Sequence, residues 1–178
     1  MLPDCATLLE TVLDRCSNHE SYFHGPDHWR RVAWIGLRLC REVPEADPVV
    51  AVLFGVFHDT MRVHDGDDPE HGRRASGLIR QLHGEAFVLN TRRLETLCHA
   101  CDLHADGLLA DDPTTAVCWD ADRLDLWRVF VTPDPRYMST SAARREGMAE
   151  WTRGLQGQTP DWGTVWEGYE ALLASRTE

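Results

Sequence analysis

The stretch DPVVAVLFGVFHD, residues 47–59, decides how this chain folds. It opens with an Asp-Pro helix start and is then apolar nearly all round, the pattern of a helix at the centre of a bundle. It closes on His58-Asp59, two polar side chains that are costly to bury among such neighbours unless they are paired or bound.

Working outward, Pro44 to Pro48 break the chain ahead of this helix. Before the break, a helix starting after the Gly25-Pro26 turn puts Trp29, Val32, Ala33, Gly36, Cys40 and Val43 on one stripe, with His28 beside it one turn before Val32. Residues 4–17 read as a further amphipathic helix. Beyond His58-Asp59 a polar loop, HDGDDPE, leads to helices near 69–83 and 90–104. DDPTTAVCWDADRLDLWRV, residues 111–129, then opens with an acidic, Pro-containing helix start. Helical segments at 139–156 and 161–175 complete the chain. The expected fold is all-α, a single-domain helical bundle over residues 1–178, with a motif-bearing core at 20–130 and the helices of 139–175 packing on it. No internal repeat and no Gly-, Ser- or Pro-rich linker interrupts it.

The bulk numbers narrow the partners. The 178 residues carry 29 acidic against 18 basic side chains, a formal charge of −11, which opposes attraction to a long nucleic-acid backbone. Small phosphorylated molecules remain compatible, because a bound cation and a few arginines can reverse the local potential. The N-terminal MLPDCATLLETVLDRC has no basic leader and reads as an amphipathic helix rather than a signal peptide, and no apolar run approaches a membrane span. Six cysteines scattered through helices suggest reduced thiols and a cytoplasmic setting.

His and Asp side chains drawn from separate helices are how helical bundles build metal sites. The candidates are His28, His58, Asp59 and Asp122. Each alone has an ordinary reading as a helix-end polar residue. Asp120 and Asp122, however, are embedded among Val117, Trp119, Leu124 and Trp127, so they share the burial problem of His58-Asp59 and call for a partner. Imidazole with carboxylate suits Mn, Fe, Co, Ni or Zn and does not choose among them.

HGPDHWRRV (24–32), HDTMRVHDGDDPEHGRRAS (58–76) and DADRLDLW (120–127) together resemble the HD-domain superfamily of metal-dependent phosphohydrolases over about residues 20–130. The resemblance implies an all-helical core and metal ligands at His28, at His58 with Asp59, and at Asp122. Asp120 is then structural, and Asp125 can orient a neighbouring ligand. Superfamily members with two metals add histidines between the HD pair and the last Asp, and His71 in PEHGRRAS and His104 in ACDLHADG stand at those positions. One divalent transition metal is implied, and two if these histidines join.

For catalysis the candidates are Asp59, which can bind metal and orient the attacking water, Arg62, and Asp67 or Asp68 as an outer acid or base. Arg62 lies four residues after His58 and can bind a substrate phosphate if the helix runs one more turn; the alternative is a surface arginine paired with Asp65 or Asp67. His24 and Arg123 are further substrate-binding candidates, although a loop-capping role suits His24 as well.

Other motifs have plainer readings. Cys98-His99-Ala100-Cys101 lies inside an apolar helix and reads as packing cysteines. Trp151, Trp162, Trp166 and Tyr169 read as core of the last two helices, and Ser139 to Ser141 as a helix cap. The function expected is hydrolysis of a phosphoester of a small molecule or nucleotide by metal-activated water. The alternatives are a di-iron oxygenase of the same superfamily and a non-catalytic, metal-containing binding domain.

Overall fold

The computed structural model describes residues 4–17 and 19–176. These form an all-α fold of nine helices, with no β-strand among the described residues: α1 Cys5–Arg15, α2 Pro26–Cys40, α3 Pro48–Phe57, α4 His71–Leu82, α5 Thr91–Leu103, α6 Pro113–Leu124, α7 Ser141–Arg144, α8 Met148–Leu155 and α9 Trp162–Ser175. Most helix starts are written in short polar residues. Asp4, Asp47, Asn90, Asp112, Thr140 and Asp161 each accept a hydrogen bond from a backbone N–H of the first turn.

Helix α3 is buried along its whole length, as its apolar sequence demands, and packs against α2, α4, α5, α6 and α9. Its closest neighbour is α2. A β-carbon added at Gly55 would lie 2.6–2.7 Å from the N, Cα and Cβ of Ala33, so the two backbones touch at this point. Gly55→Ala is expected to force them apart and lower stability by about 1–3 kcal/mol. A thermal melt should show it as a Tm lowered by roughly 2–4 °C per kcal/mol.

The helix ends differ from the sequence expectation in three places that matter. Helix α3 stops at Phe57; His58 is its cap, and Thr60 N–H turns back to the Phe57 carbonyl. The long helix expected over 111–129 ends at Leu124, and a 3-10 turn over Leu126–Val129 replaces its last turn, closing on Phe130 at φ 61°. The segment 139–156 is two helices, parted by Gly147 at φ 83°. Among the described residues no helix is long and apolar enough to cross a membrane.

No disulfide joins cysteines among the described residues. Cys98 and Cys101 are buried in the core, and burial pushes both thiols up, which fits packing residues rather than a reactive pair.

Candidate metal centre

Five segments converge on one buried cluster. The first turn of α2 brings His28, the end of α3 brings His58 and Asp59, the first residue of α4 is His71, the cap of α5 is His104, and the last turn of α6 carries Asp122. His28 and His58 are fully buried, and Asp59, His71 and His104 nearly so.

Every imidazole is oriented by its Nδ1. His28 donates to the Asp125 carboxylate at 2.7 Å and His58 to the Phe54 carbonyl at 3.0 Å. His104 donates to the Cys101 carbonyl at 2.7 Å, and His71 to that of Asp68. With Nδ1 carrying the proton, each Nε2 presents a lone pair to the cluster. Yet the Nε2 atoms meet in pairs, His28 with His58 at 2.9 Å and His71 with His104 at 2.8 Å. Two lone pairs at that distance repel unless positive charge, a proton or a metal ion, lies between them.

Asp59 joins the two pairs. Its Oδ2 lies 3.4 Å from His28 Nε2 and 3.6 Å from His58 Nε2, while its Oδ1 lies 3.1 Å from His71 Nε2 and 3.5 Å from His104 Nε2. Asp122 Oδ1 stands on the first side, 3.3 Å from His28 Nε2 and 3.8 Å from His58 Nε2. Neither Asp59 Oδ1 nor Asp122 Oδ1 accepts a hydrogen bond, although both are buried. The ligand atoms of His28, His58 and Asp59 lie within 4.8 Å of one another, as do those of Asp59, His71 and His104. Orphaned carboxylate oxygens facing imidazole lone pairs fit a divalent transition metal in each group.

The electrostatics agree. Burial pushes the Asp59 carboxyl up, but His58, His104, His28 and His71 outweigh it and hold it well below the usual range. Burial likewise raises Asp122, and Arg128, His28 and His58 bring it well below. For His28, burial and Arg128 push down, yet Asp122, Asp125 and Asp59 lift the imidazole to about 9. Burial pulls its partner His58 down to about 3, against the attraction of Asp59.

Each carboxylate of the centre has its own arginine. Arg31 grips Asp125 through Nε at 2.8 Å and Nη2 at 3.0 Å, and its Nη1 reaches Thr159, so each of its three nitrogens has a partner. Arg62 lies 3.5 Å from Asp59 Oδ1, and Arg128 lies 3.2 Å from Asp122 Oδ1; both keep buried donors without hydrogen bonds.

The HD domain family model matches residues 27–127. The chain belongs to the HD domain family. No curated protein and no solved structure matches it. The matched span of this HD domain contains all six residues expected as metal ligands, and the fold brings all six together.

The remaining expected site residues divide. Arg62 reaches the cluster although α3 ends before it: a turn carries it back, with Nη2 on the Gly66 carbonyl rather than on Asp65 or Asp67. Asp67 is exposed in the loop, whereas neighbouring Asp68 is buried and pairs with Arg74. His24 lies behind His28, its Nδ1 2.9 Å from Asp65 Oδ1 and its carbonyl accepting from Trp29, which is the arrangement of a loop anchor. Arg123 points away from the cluster and donates to the carbonyls of Tyr137 and Leu108. Asp120 accepts from Ser139 and Thr140, fixing the start of α7. Arg31 and Arg128 were not among the expected site residues. Arg31 has a weak signal in its spacing from His28, one turn along α2, but Arg128 has none, because the 3-10 turn that aims it is invisible in an apolar pattern.

Proposed function

We propose that this chain is a metal-dependent phosphohydrolase that uses two divalent transition-metal ions to cleave a phosphoester of a small molecule, such as a nucleotide. The observation that carries the reading is the pairing of imidazole lone pairs around the two oxygens of Asp59. His28, His58, Asp59 and Asp122 would hold one ion, and Asp59, His71 and His104 the other. Ions so held supply Lewis acidity toward a water and toward phosphoryl oxygens.

The chain's own groups do the rest. The fixed Nδ1 hydrogen bonds hold the rings in place so that no reorganisation is needed when charge develops. Arg62 places a cation beside Asp59, where it can also meet a phosphoryl oxygen. The formal charge of −11 argues for a small substrate rather than long nucleic acid, and cysteines scattered through helices without disulfides among the described residues suit a reducing compartment such as the cytoplasm.

The test is metal analysis of the purified protein together with assays of phosphatase, nucleotidase and phosphodiesterase substrates in added Mn, Co, Ni, Fe or Zn. The expected result is two ions per chain and hydrolysis that a chelator abolishes. A folded protein that takes up no metal and cleaves nothing would overturn the reading, and two irons with substrate-dependent oxygen consumption would replace it by the oxygenase. Within this reading Asp125→Asn, which removes the charge behind His28, is expected to weaken metal affinity by roughly 10–100-fold in a competition titration with a chromogenic chelator.

A further inference from the structure

Arg128 is held in an unusual way for a buried cation. Its side chain is 8% exposed, Nη2 lies 3.2 Å from Asp122 Oδ1, and Nε and Nη1 have no hydrogen-bond partner. Unmet guanidinium donors in a buried position are costly and await an acceptor. Arg128 lines a recess of about 190 Å³ shared with Tyr22, Trp127, Phe130 and Gln156. That volume is below the roughly 300–1,000 Å³ of a complete small-molecule pocket, so it suits a small anionic group rather than a whole large ligand.

The rim of the recess is aromatic. Tyr22 and Phe130 are 83% and 88% exposed, and the ring of Phe23 bridges them, with centroids 5.3 Å from Tyr22 and 6.4 Å from Phe130. Phe130 is also the one non-glycine residue at positive φ among the described residues. A residue with a β-carbon is disfavoured there; the conformation closes the 3-10 turn, with the Phe130 N–H on the carbonyls of Leu126 and Trp127, and leaves the ring on the surface. The acids nearby do not cancel the site: Asp27 has its own partner in Arg30, and Asp122 faces the cluster. Arg31, the other cation on the recess, already has a partner on each of its nitrogens, in Asp125 and Thr159.

We propose that Arg128, Phe130 and Tyr22 form a subsite for a ring-bearing phosphate, the guanidinium taking an anionic oxygen and the two exposed rings stacking on the flat part of the molecule. The proposal deepens the phosphohydrolase reading and rests on it for its catalytic meaning, but it concerns binding and is tested as binding.

The experiment is calorimetric titration of the metal-loaded full chain with phenylphosphonate and with methylphosphonate, which share an anionic head and differ by the ring. Phenylphosphonate should bind at least about fivefold more tightly. Phe130→Ala and Tyr22→Ala should each shrink that advantage while leaving methylphosphonate binding unchanged. Arg128→Gln should weaken both ligands by about tenfold or more, with Arg128→Lys restoring part of it. Phe130 is exposed, so its alanine variant gives a readable answer even if Arg128→Gln fails to fold. Equal affinity for the two phosphonates in the unmodified protein, or an unchanged preference in Phe130→Ala, would overturn the subsite. Selective binding without turnover of any phosphoester would keep the subsite and overturn the phosphohydrolase reading; turnover with equal binding would do the reverse.

Discussion

Asp59→Ala is expected, on the two-ion phosphohydrolase reading proposed above, to reduce the metal content from two ions per chain to none, and phosphoester hydrolysis by more than the roughly hundredfold that loss of even an outer partner of a ligand can cause. Its two oxygens face different imidazole pairs, Oδ2 toward His28 and His58 and Oδ1 toward His71 and His104. Removing the carboxylate deprives both groups of the charge they share. His104→Ala, by contrast, touches only one group and is expected to leave one ion bound. Elemental analysis of the two variants, with circular dichroism to establish that both fold, separates a bridging carboxylate from one that serves a single ion. Retention of one tightly bound ion by Asp59→Ala would contradict the bridging role.

On the same two-ion reading, Gly72→Ala is expected to cost the second ion without altering a single ligand. A β-carbon there would lie 2.2 Å from the Cys101 carbonyl oxygen and 3.1 Å from that of Asp102, both backbone atoms of α5 that cannot yield without moving the helix. The Cys101 carbonyl is also the acceptor that fixes His104 Nδ1 at 2.7 Å, and His71 directly precedes Gly72. The contact that sets the spacing of α4 and α5 is thus the one that brings His71 and His104 together. Substitution should lower stability by about 1–3 kcal/mol and leave one ion, held by His28, His58, Asp59 and Asp122. Two ions retained at an unchanged Tm would show that the helices have room to separate.

Much of this was legible in the sequence because burial and polarity conflict there openly. An Asp at the start and His58-Asp59 at the end of an otherwise apolar helix, and acids set among tryptophans, can be read without coordinates. Features that depend on where a helix stops were not legible. The 111–129 segment keeps an apolar pattern past Leu124, but Asp125 is drawn to His28 and Arg31, the backbone leaves the α-helix, and Arg128 and Phe130 are re-aimed as a result. The split at Gly147 was hidden likewise, since a glycine within a helical pattern signals a break only when its φ is known. Arg123 and Arg128, five residues apart, have similar prospects on paper; only the carbonyls of Tyr137 and Leu108 distinguish the anchored one from the one with free donors.

The Asp125 carboxylate that orients His28 has one further pair of attachments. Gln156 Nε2 donates to its Oδ1 at 2.7 Å, and Arg31, which clasps it, reaches Thr159 at 3.0 Å, 128 positions further along the chain. Contacts of such separation form late in folding, after the loop entropy between them has been met. During synthesis, every ligand from His28 to Asp122 is therefore made before the segment of Gln156 and Thr159 that holds the first of them in place.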